Sequence, residues 1–194
     1  FIVLDANFYK GEDGKYHDFS YGDYFDHKEL PYIDGCQMKW LEKELKNTDL
    51  PVIIFSHQPL HGGIRGLKNA AELEEMFKTV NSKEKKIYMC INGHIHVDNM
   101  IRKDGIYYYT VNSISGHWIG PEYECVRFSD EIEAKYPNLK YTFPYGEPLY
   151  ITVELDKTGA RIEGKKGSFI PPGPERWKEL TNITASIEDR NIRW

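Results

Sequence analysis

The chain has 194 residues, enough for one globular domain or slightly more. A composition of 40% hydrophobic and 14% aromatic residues is typical of a folded protein and excludes an intrinsically disordered one. The 25 basic and 30 acidic residues give a net charge of −5 without a basic stripe, which argues against a nucleic-acid-binding protein. Because no apolar run approaches the roughly 20 residues that cross a bilayer, we expect no membrane span.

The first half of the chain alternates strand and helix patterns, as α/β proteins do. Strands are predicted at residues 1–5, 51–55 and 86–91, and helices at residues 37–46 and 69–80. In the first helix Leu41 and Leu45 recur at helical spacing, and Trp40 is a further candidate for the core. Asn69 is a candidate N-cap of the second helix. This order predicts an α/β fold with a mixed sheet flanked by helices.

The second half contains shorter strand patterns and one long irregular segment. Asp104-Gly105 separates two strand-like runs and therefore predicts a β-hairpin. Residues 112–145 are aromatic and poor in periodicity, so we interpret them as an insertion. A half-buried strand is predicted at residues 149–155, and residues 170–194 are predicted to form a Pro-rich linker and a C-terminal appendage.

Three histidines follow the second and third predicted strands directly. Ser56-His57-Gln58-Pro59 comes after the strand at residues 51–55, and Gly93-His94-Ile95-His96 comes after the strand at residues 86–91. Sheets of α/β proteins bind ligands at such strand ends, and a neutral imidazole is a good ligand for zinc, iron and related metals. Residues two apart in an extended segment point the same way, so His94 and His96 are expected to serve one metal or two adjacent ones.

The order strand, Ser-His, Pro, helix, strand, Gly-His-x-His resembles the last two metal motifs of calcineurin-like metallophosphoesterases. The stretches 1–7, 37–45 and 149–155 are similar to other parts of that family, so the resemblance covers residues 1–169. It implies the C-terminal part of a metallophosphoesterase domain, a partial β-sandwich flanked by helices. It also implies two divalent ions (manganese, iron or zinc), with His57 and His94 sharing one ion and His96 reaching the second.

The remaining motifs of that family, Asp-x-His, Gly-Asp-x-x-Asp and Gly-Asn-His, are not convincingly present. Residues 22–26 spell Gly-Asp-x-x-Asp, but no hydrophobic strand precedes them, and a polar loop over residues 11–26 is the simpler interpretation. Because the chain also begins within a buried-strand pattern, we expect it to lack an N-terminal part that carries the general acid. We therefore expect no catalytic residue on this chain, no activity of the chain alone, and self-association through the truncated edge.

The implied function is hydrolysis of a phosphate mono- or diester by the full-length protein. His61, Asn112 and His117 are candidate substrate-binding residues, with a structural role as the alternative for each. The rival interpretation is a non-catalytic module, metal-free or with a single metal, that binds a partner through exposed aromatic residues. The candidate aromatic residues are Tyr107, Tyr108, Tyr109, Trp118, Tyr123 and Tyr141.

Overall fold

The computed structural model describes residues 1–19, 31–63, 65–180 and 182–194. The chain divides into two compact units, the first made of residues 1–94 and 100–110, the second of residues 95–99 and 111–194. None of the helices in the described part of the chain is long and apolar enough to pass through a bilayer.

The first unit is built from two helices and seven strands within the described residues. The helices are α1 (Gly35–Asn47) and α2 (Ala70–Lys83). The strands are β1 (Ile2–Leu4), β2 (Phe8–Lys10), β3 (Tyr16–Asp18), β4 (Val52–Ser56), β5 (Ile87–Asn92), β6 (Asn99–Lys103) and β7 (Ile106–Thr110).

Five of these strands form one sheet in the order β1-β4-β5-β7-β6, and β2 pairs with β3 in a separate hairpin. Strands β1, β4, β5 and β7 are parallel, so their carboxyl ends lie at one edge. The predicted hairpin joins β6 to β7, and Asp104 and Gly105 have φ angles of 49° and 78° in its turn. Positive φ at both central residues is what a two-residue turn of type I′ requires. The predicted mixed α/β sheet with helices is therefore present, whereas the two-sheet sandwich stays a prediction.

The core of the first unit lies between the sheet and one face of α1 and α2. Leu41 and Leu45 of α1 and Leu73 and Phe77 of α2 are fully buried against the apolar side chains of β1, β4, β5 and β7. Burial of each such side chain contributes about 1.5–3 kcal/mol. Trp40, predicted for the core, is instead 44% exposed. Neighbouring helix positions are about 100° apart, so Trp40 turns outward where Leu41 turns inward.

The starts of the two helices differ from the sequence prediction, and polar side chains explain both differences. Helix α1 begins at Gly35 because Asp34 is its N-cap, with Oδ1 accepting from the backbone N–H groups of Cys36 (2.7 Å) and Gln37 (3.2 Å). Asn69 lies at the N-cap position of α2 but makes no capping hydrogen bond. Its amide instead exchanges two hydrogen bonds with the backbone of Ile33, at 3.2 and 2.9 Å. That amide therefore ties the segment before α1 to the start of α2.

The described residues of the second unit form two small antiparallel sheets. One has the order β10 (Ile151–Leu155), β11 (Gly159–Gly164), β12 (Arg190–Arg193), and the other pairs β8 (Gly116–Trp118) with β9 (Thr142–Pro144). Strand β12 lies in the segment predicted as linker and appendage, yet it pairs with β11 over four residues. The segment at 112–145, predicted as an insertion, carries β8, the short helix α3 (Asp130–Lys135) and β9. The predicted domain boundaries themselves stay a prediction.

Aromatic packing and one arginine organise the centre of this unit. Phe143 is fully buried, with the ring of Phe169 at 5.9 Å and that of Trp177 at 5.4 Å between centroids. The Arg127 guanidinium lies 5.2 Å from the Phe143 ring and donates to the carbonyl oxygens of Cys125, Thr142 and Pro172. These four bonds use most of the guanidinium donors and tie two loop segments, at Cys125 and Pro172, to the start of β9.

Candidate metal centre

The loops that follow β1, β4 and β5 meet at the carboxyl edge of the sheet in the first unit. Leu4 pairs with Ser56, and Phe55 pairs with Ile91, so the three strands end almost level. The backbone N–H of Gly93 donates to the carbonyl of His57 at 3.1 Å, which ties the loop after β5 to the loop after β4. A hydrogen bond of 2.6 Å from Gln58 Nε2 to Asn7 Oδ1 ties the loop after β4 to the loop after β1.

His57 and His94 come together at this edge. Nε2 of His57 and Nδ1 of His94 are 3.2 Å apart, and their ring centroids are 5.0 Å apart at an interplanar angle of 74°. Two nitrogens that bind one ion at about 2.0–2.1 Å, with an angle of about 100° between them, are separated by about the same distance. His57 is exposed and His94 is half-buried, so the nitrogen pair fits a shared divalent ion at a site open to solvent.

The backbone of the Gly-His-x-His segment differs from the extended conformation predicted for it. Strand β5 ends at Asn92, and His94 and His96 have φ angles of 60° and 52°. The extended conformation expected for this segment is therefore wrong, and the shared direction of the two side chains stays a prediction. Left-handed φ values are uncommon for residues other than glycine and recur at functional sites, where surrounding contacts enforce them.

His96 and His117 both belong to the second unit, and one hydrogen bond joins them. Nδ1 of His117 lies 2.8 Å from the carbonyl oxygen of His96, and the ring centroids are 6.4 Å apart. Because a carbonyl oxygen only accepts, Nδ1 of His117 carries the hydrogen, and the lone pair of the neutral ring is on Nε2. The direct contact thus assigns His117 a role in holding the His96 backbone. Its role in substrate binding stays a prediction.

The other two candidate substrate-binding residues have different surroundings. Asn112 is buried, and its amide nitrogen donates to the carbonyls of Thr184 (3.0 Å) and Ser186 (3.3 Å). Its Oδ1 accepts from the hydroxyl of Tyr145 and from the backbone N–H of Ser113, both at 2.8 Å. All hydrogen-bonding groups of the Asn112 side chain are therefore used within the second unit, which explains its burial and argues for a structural role.

His61 lies in the loop after β4. Its Nδ1 is 2.8 Å from the carbonyl of Gly62, so Nδ1 carries the hydrogen, and the ring packs edge-on against Tyr108 at 5.4 Å. Burial raises the pKa of Tyr108 far above its ordinary value, so this phenol stays neutral beneath the histidine. The ring of His61 is thus oriented by two contacts and remains half-buried.

No group of three or more His, Cys, Asp and Glu side chains in the described parts of the chain is arranged to hold a metal ion. The candidate Gly-Asp-x-x-Asp at 22–26 lies outside the described residues. Asn7, at the end of the β1 loop, bonds to Gln58. The metal-binding roles of His57, His94 and His96 therefore stay predictions, supported by the nitrogen pair described above.

Two polar pairs near these histidines were not predicted. Gln58 follows His57 directly and is 1% exposed, and Asp98 lies two residues after His96 and bonds to Arg190. Gln58 and Asp98 lie within two residues of a candidate ligand, which is a sequence feature that could have identified them. Their partners, Asn7 and Arg190, are remote in the sequence, and no local pattern indicates them.

No protein-family model and no curated protein matches this chain. Among solved structures, it is similar to a dimetal phosphatase from Danio rerio, with a TM-score of 0.48 and 16% sequence identity. The alignment covers 74% of this chain and 39% of that one, so the chain spans about two-fifths of the length of that phosphatase. At this level of similarity, the functional argument depends on the residues of this chain alone.

Proposed function

We propose that this chain is part of a metal-dependent phosphoesterase that hydrolyses phosphate mono- or diesters. The observation that carries the proposal is the 3.2 Å approach of His57 Nε2 to His94 Nδ1 at the carboxyl edge of parallel strands. Two imidazoles from loops that are hydrogen-bonded to each other form a rigid nitrogen pair, which suits manganese, iron or zinc better than calcium. The Ser-His-x-Pro and Gly-His-x-His motifs, which resemble those of calcineurin-like metallophosphoesterases, support the same conclusion.

In this proposal His57 and His94 hold one divalent ion and His96 is a ligand of a second. When bound, such a pair of ions lowers the pKa of a water molecule and stabilises the leaving oxygen of a phosphate ester. The chain contributes neutral nitrogen ligands and holds the backbone of two of them through the Gly93–His57 and His117–His96 hydrogen bonds. We assign no general acid to this chain and expect it to be inactive without the rest of the domain.

Metal analysis of variants tests the ligand assignment. We expect the complete protein to contain two divalent ions, and His57→Ala and His94→Ala to remove at least one of them together with most of the hydrolysis of a chromogenic phosphodiester. His17→Ala is the matched control, because His17 lies in the β2–β3 hairpin and pairs with Asp13. Unchanged metal content in both His57→Ala and His94→Ala would contradict the assignment.

The rival function, a non-catalytic partner-binding module, is favoured by one surface feature. Trp118 and Tyr136 are 45% and 52% exposed and line an open, mainly apolar pocket of about 320 Å³ in the second unit. However, Tyr108 and Tyr109, which were expected to belong to such a surface, are 3% and 0% exposed and lie within the sheet of the first unit. A complete protein with one metal ion or none, and without phosphoesterase turnover, would favour this function.

A further inference from the structure

A largely buried ion pair joins Asp98, two residues beyond the Gly-His-x-His segment, to Arg190 of the C-terminal strand. The guanidinium of Arg190 donates from Nη1 to Asp98 Oδ1 at 2.9 Å and from Nη2 to Asp98 Oδ2 at 2.8 Å. The side chains of Asp98 and Arg190 are only 6% and 21% exposed. Two parallel bonds between charged partners define the position of both groups more strictly than a single contact does.

The same carboxylate also binds the backbone next to Arg190. The N–H of Glu188 donates to Asp98 Oδ2 at 2.8 Å, and Arg190 Nη1 donates to the carbonyl of Glu188 at 2.9 Å. Asp98 therefore accepts three hydrogen bonds from two residues at and just before the start of β12, Arg190 and Glu188. Loss of either charged partner would leave the other charge buried without its counterion.

Two anchors hold the chain at and just after His96. Its carbonyl accepts from Nδ1 of His117, and Asp98 follows two residues later. With a φ angle of 52°, His96 has a left-handed backbone, which is unfavourable for a residue with a Cβ and is stabilised by surrounding contacts. Both anchors act at or after His96, since one holds its carbonyl and the other holds the chain two residues later.

The segment that carries Glu188 and Arg190 is itself held in the second unit. Asn112 donates to the carbonyls of Thr184 and Ser186, and Arg190 begins β12, which pairs with β11. Arg190, the partner of Asp98, thus lies in a paired strand, and the segment just before it is held by the buried amide of Asn112.

We propose that Arg190, through Asp98, is a positioning residue for His96, so that the C-terminal segment orders the backbone of a candidate metal ligand. Arg190 itself touches neither metal nor substrate in this proposal. The role rests on the proposed function only in that His96 is taken as a metal ligand. The backbone constraint is independent of it.

Nuclear magnetic resonance of the histidine side chains tests the constraint in the metal-free chain. The chain has seven histidines, so His96→Ala identifies the ring signals of His96. We expect Arg190→Ala and Asp98→Asn to shift or broaden the His96 signals while the signals of His57 and His94 remain unchanged, and Arg190→Lys to restore them in part. Arg161→Ala is the control, because Arg161 is on β11 and its ion pairs with Glu154 and Glu163 are solvent-exposed.

Titration of the complete protein with zinc supplies the second measurement. We expect Arg190→Ala to weaken zinc binding by about 10- to 100-fold, as loss of a residue that orients a ligand does, and Arg161→Ala to leave it unchanged. If the wild-type protein binds no zinc but the His96 signals respond to Arg190→Ala, the proposed function fails and the positioning role stands. Unchanged His96 signals in folded Arg190→Ala and Asp98→Asn would overturn the positioning role. Unfolding of both variants would overturn it as well, because the pair would then hold the whole unit and not this loop.

Discussion

The side-chain amide of Gln37 exchanges two hydrogen bonds with the backbone of Asp5, in the same pattern as a β-bridge between two backbones. Oε1 of Gln37 accepts from the N–H of Asp5 at 2.8 Å, and its Nε2 donates to the carbonyl of Asp5 at 2.7 Å. Asp5 Oδ1 then accepts from the N–H of Asn7, whose side chain bonds to Gln58 beside His57. A continuous set of hydrogen bonds thus leads from helix α1 to the candidate metal centre.

We predict that Gln37→Met lowers the free energy of unfolding by about 1–2 kcal/mol, because two hydrogen bonds are lost at a partly exposed position. The same change should speed hydrogen exchange at the amide of Asp5, which loses its acceptor. Chemical denaturation and exchange measured by nuclear magnetic resonance check the two effects. Protection of the Asp5 amide that is equal in the variant and the wild type would contradict this reading of the contact.

The second prediction concerns Gly105 in the β6–β7 turn. A Cβ added at Gly105 would meet no atom within 4 Å, so only its φ of 78° opposes a side chain. We expect Gly105→Ala to cost about 1–2 kcal/mol, since alanine is strained in the left-handed region. Thermal unfolding should register this as a decrease of about 2–8 °C in Tm.

Gly35→Ala is the matched control for that experiment. Gly35 is also unobstructed, with its nearest contact at 4.0 Å, but it is the first residue of α1 and has no positive φ. Alanine there should be neutral or stabilising, because it favours the helix. Equal losses of stability in the two variants would mean that side-chain volume, and not backbone conformation, is responsible.

The third prediction is a pH dependence at Tyr145. Burial raises the pKa of Tyr145 to about 12, and its hydroxyl donates to Asn112 Oδ1 at 2.8 Å. Tyr145→Phe should lower the free energy of unfolding by about 1 kcal/mol near pH 8, because the bond to Asn112 is lost. Between pH 10 and 12 the folded wild type keeps a proton that its unfolded state releases, so wild-type stability falls with rising pH.

The phenylalanine variant lacks that ionisation, so the difference in stability between the two proteins should shrink above pH 10. Denaturant unfolding of both proteins from pH 8 to pH 11 measures this difference directly. Other tyrosines contribute equally to both proteins and cancel. A difference that stays constant over this range would show that Tyr145 ionises as readily in the folded state as in the unfolded one.

The fourth prediction concerns self-association through β1. Strand β1 pairs with β4 on one side and lies at the edge of its sheet, and the Val3 side chain is 72% exposed. We expect concentration-dependent association in sedimentation experiments, and we expect Val3→Lys to abolish it, because lysine on an edge strand opposes strand pairing. Leu50→Lys is the matched control, since Leu50 is 71% exposed but lies outside any strand. A wild-type chain that stays monomeric at high concentration would contradict the prediction.

Local patterns in the sequence were sufficient for the main elements of the first unit. Apolar runs of five or six residues predicted β4 and β5, helical spacing of Leu41 and Leu45 predicted α1, and Asp104-Gly105 predicted the hairpin. These features depend on residues close together in the chain, which is why they are readable without a structure. Placement of His57 and His94 after strands followed from the same patterns. Because parallel strands end at one edge of a sheet, the same patterns also predicted that the loops carrying His57 and His94 meet.

Only the tertiary structure decided how individual side chains are used. Asp98 and Arg190 are 92 positions apart, and nothing near either residue indicates an ion pair. Asn69 has the residue type and position of an N-cap, but its side-chain amide bonds to the backbone of Ile33, which is remote in the sequence, and not to the helix. His94 and His96 fit an extended pattern, yet both have left-handed backbone angles. In each case the outcome depends on which distant groups the packing brings within about 3 Å, and hydrophobic periodicity carries no information about that.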